Sequence, residues 1–142
     1  MQIKNDISYD QTTPIEFEDK IKVWVDEDTN LMWEVKNEKS INETFLWEAT
    51  KEWAEHLNAK KYGGFDDWEI PTKYQLESLL SATRNNGYYI KKPLSKNTKS
   101  RYWSSTPDPN SSFGAYDISF EFGYTRWLHK EQRYCVRCVR SI

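Results

Sequence analysis

Apolar side chains at Tyr116, Ile118, Phe120 and Phe122 alternate with Asp117, Ser119 and Glu121. A period of two is the mark of a strand with one face buried and the other wet. Gly123 then permits a tight turn into a strand over residues 124 to 128, and residues 133 to 140 supply a closing strand. The last third is therefore expected to be an antiparallel meander. Near the other end, residues 22 to 36 hold two β-prone runs around the polar Asp28-Thr29-Asn30, which predicts a hairpin with Trp33 inside.

Between these strands the spacing changes. Leu46, Ala49, Trp53 and Leu57 recur at helical intervals, with Glu48, Lys51, Glu52 and Glu55 on the other side. This predicts an amphipathic helix within residues 40 to 60. Ser40 and Glu43 have the spacing of a capping box, and Asn42 and Thr44 are equally able caps. Residues 62 to 68 are loop chemistry, after which Thr72 and Gln75 open a second helix with Leu76, Leu79 and Leu80 on its buried face. Residues 84 to 99 are rich in Asn, Lys and Ser and broken by Gly87 and Pro93, so they read as a surface excursion. Residues 1 to 20 show no clear period. They are expected to form an extended lead-in to one domain over residues 21 to 142.

Composition narrows the function classes. Lys plus Arg total 20 against 22 for Asp plus Glu, so no global positive field favours nucleic acid or anionic lipid. The 7 Trp, 9 Tyr and 6 Phe supply the apolar surface that disordered chains lack. No apolar stretch of signal-peptide length occurs in residues 1 to 20, and no run reaches the roughly 18 apolar residues of a membrane-spanning helix. The expectation is a soluble, cytoplasmic protein with no membrane insertion, export by a non-classical route or a phage particle remaining open. Its oligomeric state is not encoded in any pattern.

Chemistry at particular residues is sparse. Cys135 and Cys138 have a spacing that suits redox or zinc sites, but valines at 136 and 139 suggest a strand, in which residues three apart point to opposite faces. Two reduced thiols are expected, with Cys138 facing the core. Asp26, Asp28 and Asn30 imitate the start of a calcium loop, yet Leu31 stands where a Gly is needed and Asn37 where the bidentate Glu belongs, so turn chemistry is the reading. No catalytic triad, phosphate-cradling loop or metal cluster stands out, so no catalytic residue, metal or cofactor is expected.

Four pieces in order are more specific than any one of them: Val25-Asp26 through Asn30-Leu31-Met32-Trp33, then Gly63-Gly64-Phe65-Asp66-Asp67-Trp68-Glu69-Ile70-Pro71, then Tyr102-Trp103-Ser104-Ser105-Thr106, and Tyr134 with Val136-Arg137-Cys138-Val139-Arg140. This series resembles the Lcl C-terminal-like domain, a bacterial family related to formylglycine-generating-enzyme and C-type-lectin-like folds and to retroelement-diversified variable proteins. The resemblance implies an α+β, C-type-lectin-like fold in which early and late strands meet and two helices flank a twisted, mainly antiparallel sheet with long loops. The chain departs from the family at Glu69, where a basic residue is typical, and near Ala54, where a cysteine that could bond Cys138 is often found. Without that cysteine the disulfide cannot form, which agrees with an intracellular or phage-encoded version.

Binding on such scaffolds commonly uses loops of the C-terminal third, which here are residues 107 to 113 and 128 to 133. The first carries Asp108, Asn110, Ser112 and Phe113, adaptable polar groups beside an aromatic; the second brings Trp127, His129, Lys130 and Gln132 close together. The expected function is a non-catalytic recognition module for a protein or glycan ligand, with sugar stacking on Trp127 one option. One alternative is a small intracellular or phage-associated partner protein, such as an immunity, chaperone-like or virion component. Another is an oxidase similar to formylglycine-generating enzymes, which would need two accessible thiols that meet.

Overall fold

A computed structural model describes residues 21–142, so the lead-in expected over residues 1 to 20 lies outside the described residues. Strands β1 (Val23–Asp26) and β2 (Leu31–Glu34) form the hairpin read from the sequence, in the register Trp24 opposite Trp33 and Asp26 opposite Leu31. Its turn closes through Asn30, whose N–H donates to Asp26 O at 2.8 Å, and through Asp28 N–H on Asp26 Oδ1 at 3.1 Å. Lys91 Nζ sits 2.7 Å from Asp26 Oδ2 and 3.5 Å from Asp28 Oδ2, so the carboxylates that mimic a calcium loop are held by a cation of the chain itself. Strand β8 (Val139–Ser141) pairs antiparallel with the free edge of β2. Early and late strands do meet.

The first helix is shorter than predicted. Helix α1 spans Thr50–Ala59, preceded by 3-10 turns at Ser40–Asn42 and Trp47–Ala49 with an extended stretch between them. Phe45 explains the break: it exchanges backbone hydrogen bonds with Tyr134, at 2.8 and 3.1 Å, which holds it extended. This non-local pairing overrides the helical periodicity of the segment. The Ser40/Glu43 capping box is absent. Asn37 Oδ1 instead accepts from Ser40 N at 2.7 Å and Lys39 N at 2.9 Å, and Ser40 Oγ accepts from Asn37 N. Leu57 faces the core as expected and Ala54 joins it, whereas Ala49 and Trp53 are half-buried and Leu46 is exposed.

Helix α2 (Lys73–Glu77) starts at the Thr72 capping box, with Gln75 N on Thr72 Oγ1 at 3.1 Å and Thr72 N on Gln75 Oε1 at 2.9 Å. Leu76 and Leu79 are fully buried, but Leu80 already belongs to β3 (Leu80–Asn85). That strand pairs with β4 (Tyr88–Ile90), so residues 84 to 99 are not a plain surface excursion. Asn86 and Gly87 both have positive φ, 53° and 88°, as a tight hairpin turn demands. Ile90 and Leu94 then bury completely beneath the lysines that masked them in the sequence.

Strands β5 (Arg101–Pro107), β6 (Gly114–Ser119) and β7 (Tyr124–His129) form the expected antiparallel meander. Both faces of β6 are covered, which corrects the reading of one wet face. Tyr102, Ile118 and Phe120 join a core with Trp33, Leu76 and Leu79, whereas Trp103 and Ala115 join a second core with Met32, Leu57 and Val136. Asp117 and Ser119, read as solvent-facing, are fully buried. Phe122 is 52% exposed, because β6 ends at Ser119 and the residue falls in the turn. Residues 134 to 138 are not a continuous strand: Tyr134 and Cys135 make isolated bridges to Phe45 and Tyr102 before β8 begins.

Among the described residues the architecture is thus mixed α+β with three small sheets, β1-β2-β8, β3-β4 and β5-β6-β7, rather than one twisted sheet. All paired strands run antiparallel. Among the described residues no helix is long and apolar enough to cross a membrane.

Candidate ligand-binding surface

The two loops singled out in the sequence come together at one end of β6 and β7. Gly114 lies opposite His129, and Lys130 N donates to Phe113 O at 2.9 Å, so the chain before β6 and the chain after β7 are joined by backbone. Phe113 is 71% exposed and Trp127 47% exposed. The Trp127 ring lies over Gly114, where an added Cβ would fall 2.7 Å from its Cε3 atom, and meets the exposed His129 edge-to-face with centroids 6.2 Å apart. Asn110, Ser112 and Gln132 are exposed around these rings. The group presents apolar faces with amides and a hydroxyl beside them, a pattern suited to sugar rings or to a protein anchor.

Two of the predicted site residues, Asp108 and Lys130, are also engaged by contacts within the chain. Asp108 is only 8% exposed: its Oδ1 accepts from Asn110 N at 2.9 Å, its N–H donates to Gly114 O at 3.0 Å, and its carbonyl accepts from Ser111 N at 3.3 Å. It staples the loop, because an aspartate satisfies its own turn before any ligand arrives. Lys130 lays its Nζ 4.4 Å above the Trp47 ring centroid and 3.8 Å from Glu48 Oε2, which ties the β7 end to the turn before α1.

Next to this end the structure opens a cleft of about 690 Å³ between α1 and the end of β5. Trp47, Trp68 and Pro107 contribute apolar wall, and Glu48, Glu55 and Glu69 give it an acidic rim. The helical period correctly put Glu48 and Glu55 on the outer side of the helix. Which element that side would overlook was invisible, since Glu69 and Pro107 reach it only through tertiary folding. Glu69 is placed there by backbone exchange with Val139, at 2.8 and 2.9 Å.

The thiols are kept apart and buried. Cys135 packs in the core around Trp33 and Cys138 in the core around Trp103, both buried and unbonded. Burial pushes both thiols up, Cys138 well above the ordinary range with the Glu34 charge adding to the effect. Neither is prepared as a nucleophile. Among the described residues no three His, Cys, Asp or Glu side chains gather as a metal site would require.

No curated protein matches this chain. The model of the Lcl C-terminal domain, however, matches residues 22–140, from β1 into β8 and including every loop described above. On that match over most of its length, the chain belongs to the Lcl C-terminal domain family.

Proposed function

We propose that this domain is a non-catalytic recognition module on a C-type-lectin-like scaffold, presenting Phe113, Trp127 and His129, with Asn110, Ser112 and Gln132 around them, to a protein or glycan ligand. The observation that carries the reading is the exposure of Phe113 and Trp127 at one sheet end, while Trp33, Trp68, Trp103, Tyr62, Tyr102 and Phe120 are buried. Tyr74, Phe122 and Tyr124 are exposed as well, but Phe113 and Trp127 stand at the two adjoining loops beside polar groups, and such rings dominate the energetics of interfaces. The oxidase alternative loses support from two buried thiols lying in separate cores.

The test compares wild type with the Phe113→Ala/Trp127→Ala pair on a glycan array and in capture of protein partners. Loss of a ligand by the pair, with an unchanged unfolding midpoint, supports the reading. Ligands that the pair retains would move the site elsewhere, and an array and capture both blank for wild type would end it.

A further inference from the structure

On another part of the surface, residues 41–44 run beside residues 99–101 and 133–135 and leave a cleft of about 410 Å³. Its polar walls come from Asn42, Thr44, Lys99, Arg101, Arg133 and Tyr134. No carboxylate lines it, so three cations share one small volume on a chain whose formal net charge is -2.

The hydrogen bonds already made leave an excess of donors. Arg133 gives Nε to Thr44 Oγ1 at 3.3 Å and Nη2 to Thr44 O at 2.7 Å, which orients its guanidinium and leaves Nη1 over. Arg101 gives Nη1 to Tyr134 Oη at 3.1 Å, leaving Nε and Nη2. The Thr44 and Tyr134 hydroxyls act as acceptors in these bonds, so each keeps its own proton to donate. Lys99 has no ion-pair partner among the described residues.

None of the three cations forms an ion pair with an acid among the described residues. Glu43 lines the adjacent cleft, which shares Thr44 and Arg133 with this one, but it makes no ion pair within 4.0 Å among the described residues. Asp117, which feels the charge of Arg101, is fully buried on the inner side of β6. A pocket of several oriented donors and no anionic acceptor is complementary to an acceptor-only ligand carrying more than one negative charge. Its volume lies within the roughly 300 to 1,000 Å³ of small-molecule sites. Ile41 and the Tyr134 ring add apolar wall for an organic group.

We propose that this cleft binds a small phosphate monoester, with the dianion between Arg101, Arg133 and Lys99 and its organic part against Ile41 and the Tyr134 ring. None of its lining residues belongs to the Phe113/Trp127 group, although Arg133 directly follows Gln132, and its ligand test does not depend on that group.

The test is calorimetric titration of the full chain at low salt with phenyl phosphate, inorganic phosphate, phenyl sulfate and benzoate. Saturable binding of phenyl phosphate is expected, with phenyl sulfate and benzoate about tenfold weaker because each carries one charge, a difference near 1.4 kcal/mol. Binding should also fall as the pH drops through about 6, where a phosphate monoester takes up its second proton. Arg101→Gln, Arg133→Gln and the exposed Lys99→Gln should each weaken it about fivefold or more, while Lys60→Gln, remote from the cleft, leaves it unchanged. Near-ultraviolet circular dichroism shows whether each variant keeps its fold, and Lys99→Gln decides the matter if an arginine variant does not. Absence of saturable binding at millimolar phosphate, equal binding of sulfate and benzoate, or indifference to Lys99→Gln would each overturn the proposal.

Discussion

Glu34 Oε2 lies 3.1 Å from Lys36 Nζ, two residues along the same extended segment, and neither side chain is more than 1% exposed. The geometry is that of an ion pair without a good hydrogen bond from the ammonium. The carboxylate is otherwise well served, by Trp53 Nε1 at 3.0 and 3.1 Å and by Cys138 N at 2.9 Å. The Trp53 ring centroid lies 4.4 Å from the ammonium. Arg137, also fully buried, donates to Glu34 O at 2.6 Å and Asn97 O at 2.6 Å. These charges lock the early hairpin, α1 and the last strand together.

Removing one partner should therefore be worse than removing both. Glu34→Ala leaves an ammonium buried and uncompensated and is expected to cost about 3 to 5 kcal/mol, while Glu34→Leu/Lys36→Met together should recover most of that loss. Urea unfolding of the three proteins measures it. A double variant no more stable than the single one would contradict the assignment.

Asp117 gives a pH dependence. Burial raises its pKa to about 6, partly opposed by the charge of Arg101 and by its own backbone N–H, which lies outside good hydrogen-bond geometry to either carboxylate oxygen. Arg126 Nε, at 3.8 Å, is too distant to supply one. A carboxyl group whose folded pKa is raised binds its proton more tightly in the native state, so stability falls as pH rises from the ordinary carboxylate value to about 6. The loss should be of order 2 to 3 kcal/mol at about 1.4 kcal/mol per unit. Asp117→Asn should remove that component and raise stability at pH 7. Denaturant midpoints at pH 4.5 and 7 for both proteins would reveal it, and parallel pH profiles would refute it.

Gly114 marks a close approach rather than a turn. A methyl group there would meet Trp127 at 2.7 Å from Cε3 and 3.2 Å from Cζ3. Gly114→Ala is expected to swing the indole away at a cost of about 1 kcal/mol, the low end for overpacking because the ring is half-exposed. It should also abolish any ligand binding that Trp127→Ala abolishes. Retained binding in Gly114→Ala would separate the ring position from recognition.

The two thiols should be silent in the native state. With burial raising both, neither Cys135 nor Cys138 is expected to react with an aromatic disulfide reagent at pH 8 within minutes, and both should react after guanidinium unfolding. Rapid reaction of one native thiol would reopen the redox reading.

Local patterns determined the parts whose partners are near in sequence. The hairpin around Asp28 to Asn30, the Thr72 cap answered by Gln75, and the alternation that marks β6 are each satisfied within a few residues, so composition and spacing suffice to read them. The two loops at the β6 and β7 ends were singled out through the family resemblance, and the β6–β7 hairpin brings them together.

What sequence alone left open depended on contacts across long separations. The helix predicted from residue 40 starts at Thr50 because Phe45 bonds to Tyr134. Asp117 and Lys36 look like solvent-facing polar residues and become buried only when other chain segments close over them. Asp108 and Asn110 stand two residues apart, yet only their folded geometry distinguishes a loop staple from a ligand contact. The donor-rich cleft joins residues 42 and 133, which no periodicity relates. Period and capping act through the chain itself, whereas burial, charge pairing and clefts arise when distant segments share one volume, and that was decided by the tertiary structure.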